Sequence, residues 1–124
     1  MSPKEFDKLV HRALKGIPPR FRSRLKNVVF LVEQEPPRPG LLGLYHGRPL
    51  TERSVHDGFT MPDQIIIYQG THERLARTPE ELEQMVKDTV WHEIAHYFGM
   101  DEAQVRSAER RRHKKRLLRS RRFD

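Results

Sequence analysis

The chain predicts an α+β fold. Two segments open with helix-start chemistry, Ser2-Pro3-Lys4-Glu5 and Thr78-Pro79-Glu80-Glu81. Between them lie three short apolar runs bounded by proline and glycine. That order, a helix, then strands, then a helix, suits one small domain. The 124 residues allow one modest core. We expect a short mixed sheet packed on the N-terminal helix and the second long helix.

The first helix is read from its cap and its period. Ser2 can accept an amide hydrogen, Pro3 suits the first helical position, and Glu5 completes a capping box. Phe6, Leu9, Val10, Ala13, Leu14 and Ile17 then recur at helical spacing. Gly16 and Pro18-Pro19 stop the helix. Val28-Val29-Phe30-Leu31-Val32 is short and mostly β-branched, so it predicts a buried strand. Three prolines between Glu33 and Gly40 make a loop.

Leu41 to Tyr45 is the second strand candidate, and His46-Gly47-Arg48-Pro49 has turn chemistry. Thr51 to Met61 is polar and Gly-containing and reads as a surface loop with some strand. Gln64-Ile65-Ile66-Ile67-Tyr68 is the clearest strand, with Gly70 expected to end it. The second long helix should run from Glu80 to Phe98. Leu82, Met85, Val86, Val90 and Trp91 would give it core contacts, and Gly99 would stop it.

Charge divides the chain. Residues 1–104 hold 14 Lys and Arg against 15 Asp and Glu, a net of −1. Residues 105–124 hold 10 Lys and Arg against 2 acids, a net of +8. We therefore read 1–104 as the domain and 105–124 as a basic C-terminal helix or tail. A solvated helix end, a non-specific nucleic-acid contact and an anionic surface or acidic partner all fit that tail. It has almost no aromatic residue on which bases could stack. No stretch approaches the roughly 18 apolar residues of a membrane span. The first residues mix acids with lysines and do not read as a signal peptide, so a cytoplasmic location is expected. There is no cysteine, so any metal site must use nitrogen and oxygen ligands.

The chemistry concentrates at His92-Glu93-Ile94-Ala95-His96. Histidines four apart on a helix lie only about 40° off one face, with about 6 Å of rise between them. Both imidazoles can converge on one ion, and the carboxylate of Glu93 stands close enough to act on water there. Gly99 follows three residues after His96 and permits a sharp left-handed turn. The chain can then bring a third ligand from Glu102 or Asp101. We favour Glu102, because Asp101-Glu102-Ala103-Gln104 also reads as a helix cap with Asp101 as the capping residue.

The full pattern His-Glu-x-x-His-x-x-Gly-x-x-Glu resembles the extended zincin motif, with Glu102 where small zincins usually carry Asp. The stretches LLGLYHGRPLTERSV (41–55), PDQIIIYQG (62–70) and PEELEQMVKDTVWHEIAHYFGMDE (79–102) look like the minimal zincin-like metallopeptidases, short bacterial proteins also called mini-zincins. The resemblance implies a small zincin-like domain and one zinc ion. It implies a peptide-bond hydrolase with Glu93 as general base. A chain this short has little material for a deep cleft, so peptides or unfolded proteins are the expected substrates. The resemblance further implies an edge strand beside the metal that pairs with extended substrate, for which Ile65 to Tyr68 is the candidate. Tyr45, Tyr68, Tyr97 and His72 are candidates for stabilising the transition state. The alternative is a basic nucleic-acid-associated module whose metal site is structural or vestigial.

Overall fold

The computed structural model describes residues 1–47 and 62–99, with Ala103, Ser107, Arg110, Arg111 and Lys114 beyond them. Among the described residues the order is α1 (Pro3–Lys15), α2 (Pro19–Arg22), β1 (Val28–Glu33), β2 (Gly43–His46), β3 (Asp63–Tyr68), α3 (Gln69–Leu75) and α4 (Pro79–Tyr97). This is the expected α+β class with a small mixed sheet. No helix among these residues is long and apolar enough to cross a membrane. Thr51 to Met61, the two candidate third ligands and most of the basic segment lie outside the described residues.

Both long helices begin where their caps predict. Ser2 Oγ accepts the Glu5 amide at 3.1 Å, and Glu5 returns a bond to the Ser2 amide. Thr78 Oγ1 accepts the Glu81 amide at 3.0 Å. Each cap answers an amide that a helix start leaves without an internal partner.

The sheet order is β1-β3-β2, with β1 parallel and β2 antiparallel to β3. Ile65 therefore sits opposite Phe30 on one side and Tyr45 on the other. β3 is the central strand, so Ile65 to Tyr68 is not the substrate-pairing edge that the resemblance implies. Its backbone already pairs on both sides. Among the described residues the outer strands are β1 and β2.

One sheet face meets the helices. Phe6, Leu9, Val10, Ala13 and Ile17 from the N-terminal segment pack with Ile65 and Ile67 of β3 and with Leu82, Val86, Val90 and Ile94 of α4. Phe21, Trp91 and Phe98 form a partly buried aromatic group beside them, with Phe21 and Trp91 edge-to-face at 5.4 Å. Met85, expected in the core, is half-buried outside this cluster.

Gly70 does not end the strand into a loop. The chain passes directly from β3 into α3, and Gly70 is a buried residue of that helix. Its amide donates to the Gln34 carbonyl at 2.8 Å. A side chain there would collide with Glu35 and come 2.7 Å from the Gln34 carbonyl. The glycine serves a close approach between α3 and the loop after β1.

α3 also carries a fully buried imidazole. His72 is 0% exposed, with Nδ1 2.7 Å from the Tyr68 carbonyl oxygen and Nε2 2.8 Å from Thr89 Oγ1. Phe6 of α1 packs on the ring at 5.7 Å. Burial holds His72 below the usual imidazole range, against the Tyr68 and Met85 carbonyls that favour its charged form.

Two outcomes follow. Ile65 is 0% exposed. Ile65→Ala should therefore lower unfolding stability by about 2–5 kcal/mol, read from urea denaturation. His72 binds its proton more weakly folded than unfolded. Its contribution to stability is full above the unfolded value of about 6.5 and is lost as pH falls from there through the folded value. Denaturation at pH 7.5 and pH 5.5 should show a larger acid loss for wild type than for His72→Gln.

Candidate metal centre

The last two turns of α4 carry His92, Glu93 and His96. The helix keeps its backbone bonds through this region and stops at Tyr97. Spacing then brings the two imidazoles together. Their Nε2 atoms are 3.2 Å apart and their ring centroids 4.9 Å apart. Both rings are half-buried, which leaves each with one side toward solvent.

This separation tests whether the pair fits zinc. Two nitrogens at about 2.0–2.1 Å from a tetrahedral ion lie about 3.3 Å from each other. The observed 3.2 Å matches that span without moving either ring. Imidazole nitrogen is also a favoured zinc donor. The two histidines therefore fit the ion that the motif implies.

The third position is not assembled among the described residues. No group of three or more His, Cys, Asp or Glu able to hold a metal occurs there. Asp101 and Glu102 both lie outside the described residues. What precedes them is described. The Gly99 amide donates to the His96 carbonyl at 2.9 Å, and Gly99 has φ +84°. This is the left-handed turn that the sequence predicts after the second histidine.

Glu93 is buried, at 6% exposure, one residue from His92. It faces the backbone of β2. A Cβ built on Gly43 would lie 3.2 Å from both Glu93 Cγ and Oε2, and 2.8 Å from Thr89 Cγ2. Thr89 and Glu93 sit one turn apart on α4, so Gly43 rests on both. The strand that lies against the carboxylate is therefore β2, an outer strand among the described residues.

The four candidates for transition-state stabilisation sit in different surroundings. Tyr45 Oη donates to Asp63 Oδ2 at 2.7 Å. Tyr97 is buried, and its hydroxyl lies 3.3 Å from the Arg24 carbonyl while accepting the Lys26 amide at 3.4 Å. His72 is enclosed between Tyr68 and Thr89. The polar atoms of these three side chains thus serve contacts within the fold. Tyr68 is 2% exposed, and burial, followed by the charges of Glu33 and Glu93, pushes its hydroxyl above the ordinary phenol range. Tyr68 therefore lies within electrostatic reach of Glu93.

Two residues of this region escape sequence reasoning. Gly43 reads as part of an apolar strand, and Thr89 as a helix residue of no special kind. Their importance lies in a contact between them, which spacing along one segment does not encode.

With this geometry in place, likeness to known proteins is informative. The family model described as zincin-like metallopeptidase matches residues 25–112. That span holds all three strands, α3, α4 and the whole histidine motif. A solved structure of a conserved hypothetical protein from T. thermophilus is similar at 29% identity with a TM-score of 0.57. The match covers 79% of this chain and 94% of that one. No curated protein matches the chain. The family match takes in well over half of the sequence, and the chain belongs to the zincin-like metallopeptidases.

Proposed function

We propose that this chain is a zinc-dependent peptidase in which Glu93 is the general base. The observation that carries the reading is a buried carboxylate beside two imidazoles, their Nε2 atoms 3.2 Å apart, against strand β2. Membership of the zincin-like metallopeptidases supports the same chemistry.

His92 and His96 would hold one zinc ion, with Glu102 as third ligand and Asp101 as its rival. When bound, the ion supplies Lewis acidity, making water easier to deprotonate and a peptide carbonyl easier to attack. Glu93 takes the proton as the water oxygen bonds to the carbonyl carbon. As the carbon–nitrogen bond breaks, Glu93 returns that proton to the leaving amine. Burial suits this shuttle, because few waters can compete for the proton. An extended peptide bound beside the carboxylate would be held mainly through its backbone, irrespective of sequence. Peptides and unfolded chains fit that mode. We assign this role to the body, residues 1–104, and leave the basic segment 105–124 outside it.

Metal content and turnover test the reading together. Purified wild type should hold one equivalent of zinc, and His92→Ala should lose it. Glu93→Gln should keep the zinc while peptide cleavage falls by about 10²–10⁴-fold, the usual contribution of a general base. A Glu93→Gln variant that cleaves like wild type refutes the mechanism. Zinc affinity of Glu102→Ala and Asp101→Ala identifies the third ligand, since the true ligand's loss should weaken binding far more than loss of a cap.

A further inference from the structure

We infer that His72 and Thr89 are positioning residues that set how closely strand β2 approaches Glu93. The inference rests on Glu93 acting as the base, and it adds residues outside the His-Glu-x-x-His segment to the machinery of the site.

The argument starts at His72. Its Nδ1 lies 2.7 Å from the Tyr68 carbonyl oxygen, which can only accept, so Nδ1 carries the proton. Burial disfavours the charged ring, against the Tyr68 and Met85 carbonyls. Thr89 Oγ1 is hydrogen-bonded to Nε2 at 2.8 Å. That bond ties the Thr89 hydroxyl to α3. Thr89 is β-branched, so fixing its hydroxyl also fixes its methyl. The methyl bears on Gly43, where an added Cβ would come only 2.8 Å from it.

Gly43 is thus held between two supports on α4. One is the Thr89 methyl, held by His72 on α3. The other is the Glu93 side chain, 3.2 Å from the same point. The ring is itself braced by Phe6 of α1, at 5.7 Å. A rotation of Thr89 would change the seat of β2 and, with it, the space Glu93 occupies. Without a side chain, Gly43 leaves that space to the carboxylate. Neither His72 nor Thr89 needs to touch substrate or metal, since both act through Gly43.

The test uses the full chain with zinc. Thr89→Ser keeps the hydroxyl and removes the methyl. Gly43→Ala adds a methyl 2.8 Å from the Thr89 methyl and 3.2 Å from Glu93. Each should lower kcat, Gly43→Ala by tenfold or more and Thr89→Ser by about threefold, while thermal melts show both folded at the assay temperature. The double variant G43A/T89S removes the closer of the two contacts and should recover part of the kcat lost by Gly43→Ala. Independently of turnover, ¹⁵N NMR of His72 at pH 7.5 should show a neutral ring protonated on Nδ1. Single variants with wild-type kcat, a double variant no better than Gly43→Ala, or a ring charged or protonated on Nε2 would each overturn the proposal. The two levels separate in wild type. If wild type cleaves in a Glu93-dependent way and the variants match it, only the positioning role falls. If wild-type cleavage does not depend on Glu93, the catalytic reading falls and takes the positioning role with it.

Discussion

The site depends on one close approach, the backbone of β2 at Gly43 lying against α4 at Thr89 and Glu93. A carboxylate is costly to bury unless its surroundings answer its charge. Glu93 is nonetheless 6% exposed, because the strand backbone covers it from one side. Any side chain at position 43 would enter the space of Glu93 or Thr89. The smallest residue at 43 and a carboxylate at 93 are therefore two halves of one arrangement.

The sheet order gives this approach its meaning. β3 sits in the middle and uses its backbone on both neighbours. It anchors α4 through Ile65 and Ile67 and presents no pairing edge. β2 is short and antiparallel, with Gly43 opposite Ile67. The central strand carries the core, and β2 borders the carboxylate.

Much of the fold is legible in the sequence, and the parts that are not have physical reasons. Capping residues with helical periodicity locate α1 and α4, because those signals are local. The unbroken apolar run Ile65-Ile66-Ile67 marks a strand. It also carries a second message, since a strand buried on both faces belongs in the interior of a sheet and not at its edge. Ile66 and Tyr68 point away from Ile65 and Ile67, yet they are only 9% and 2% exposed. α3 is invisible for a different reason. It has seven residues, a glycine at its second position and no side-chain cap. Contacts from the Gln34 loop and from Thr89, about three turns into α4, hold it, and no local pattern encodes either. The same limit hides Thr89 and Gly43, which meet across the fold, whereas His92 and His96 meet across a single helical turn.

The histidine pair also explains why the motif cannot end at His96. Two ligands from one helix face approach an ion from the same side, and the 3.2 Å between their nitrogens spans one edge of a tetrahedron. A further protein ligand must come from elsewhere, because the next residues of a continued α4 would turn away from that face. The chain must leave the helix promptly. It does so at Tyr97, and Gly99 takes a φ of +84° that other residues adopt only under strain. A side chain at 99 would oppose the turn even though it touched neither histidine. On the proposed reading the glycine matters as much as the two histidines, because its turn would let the following residues return toward them.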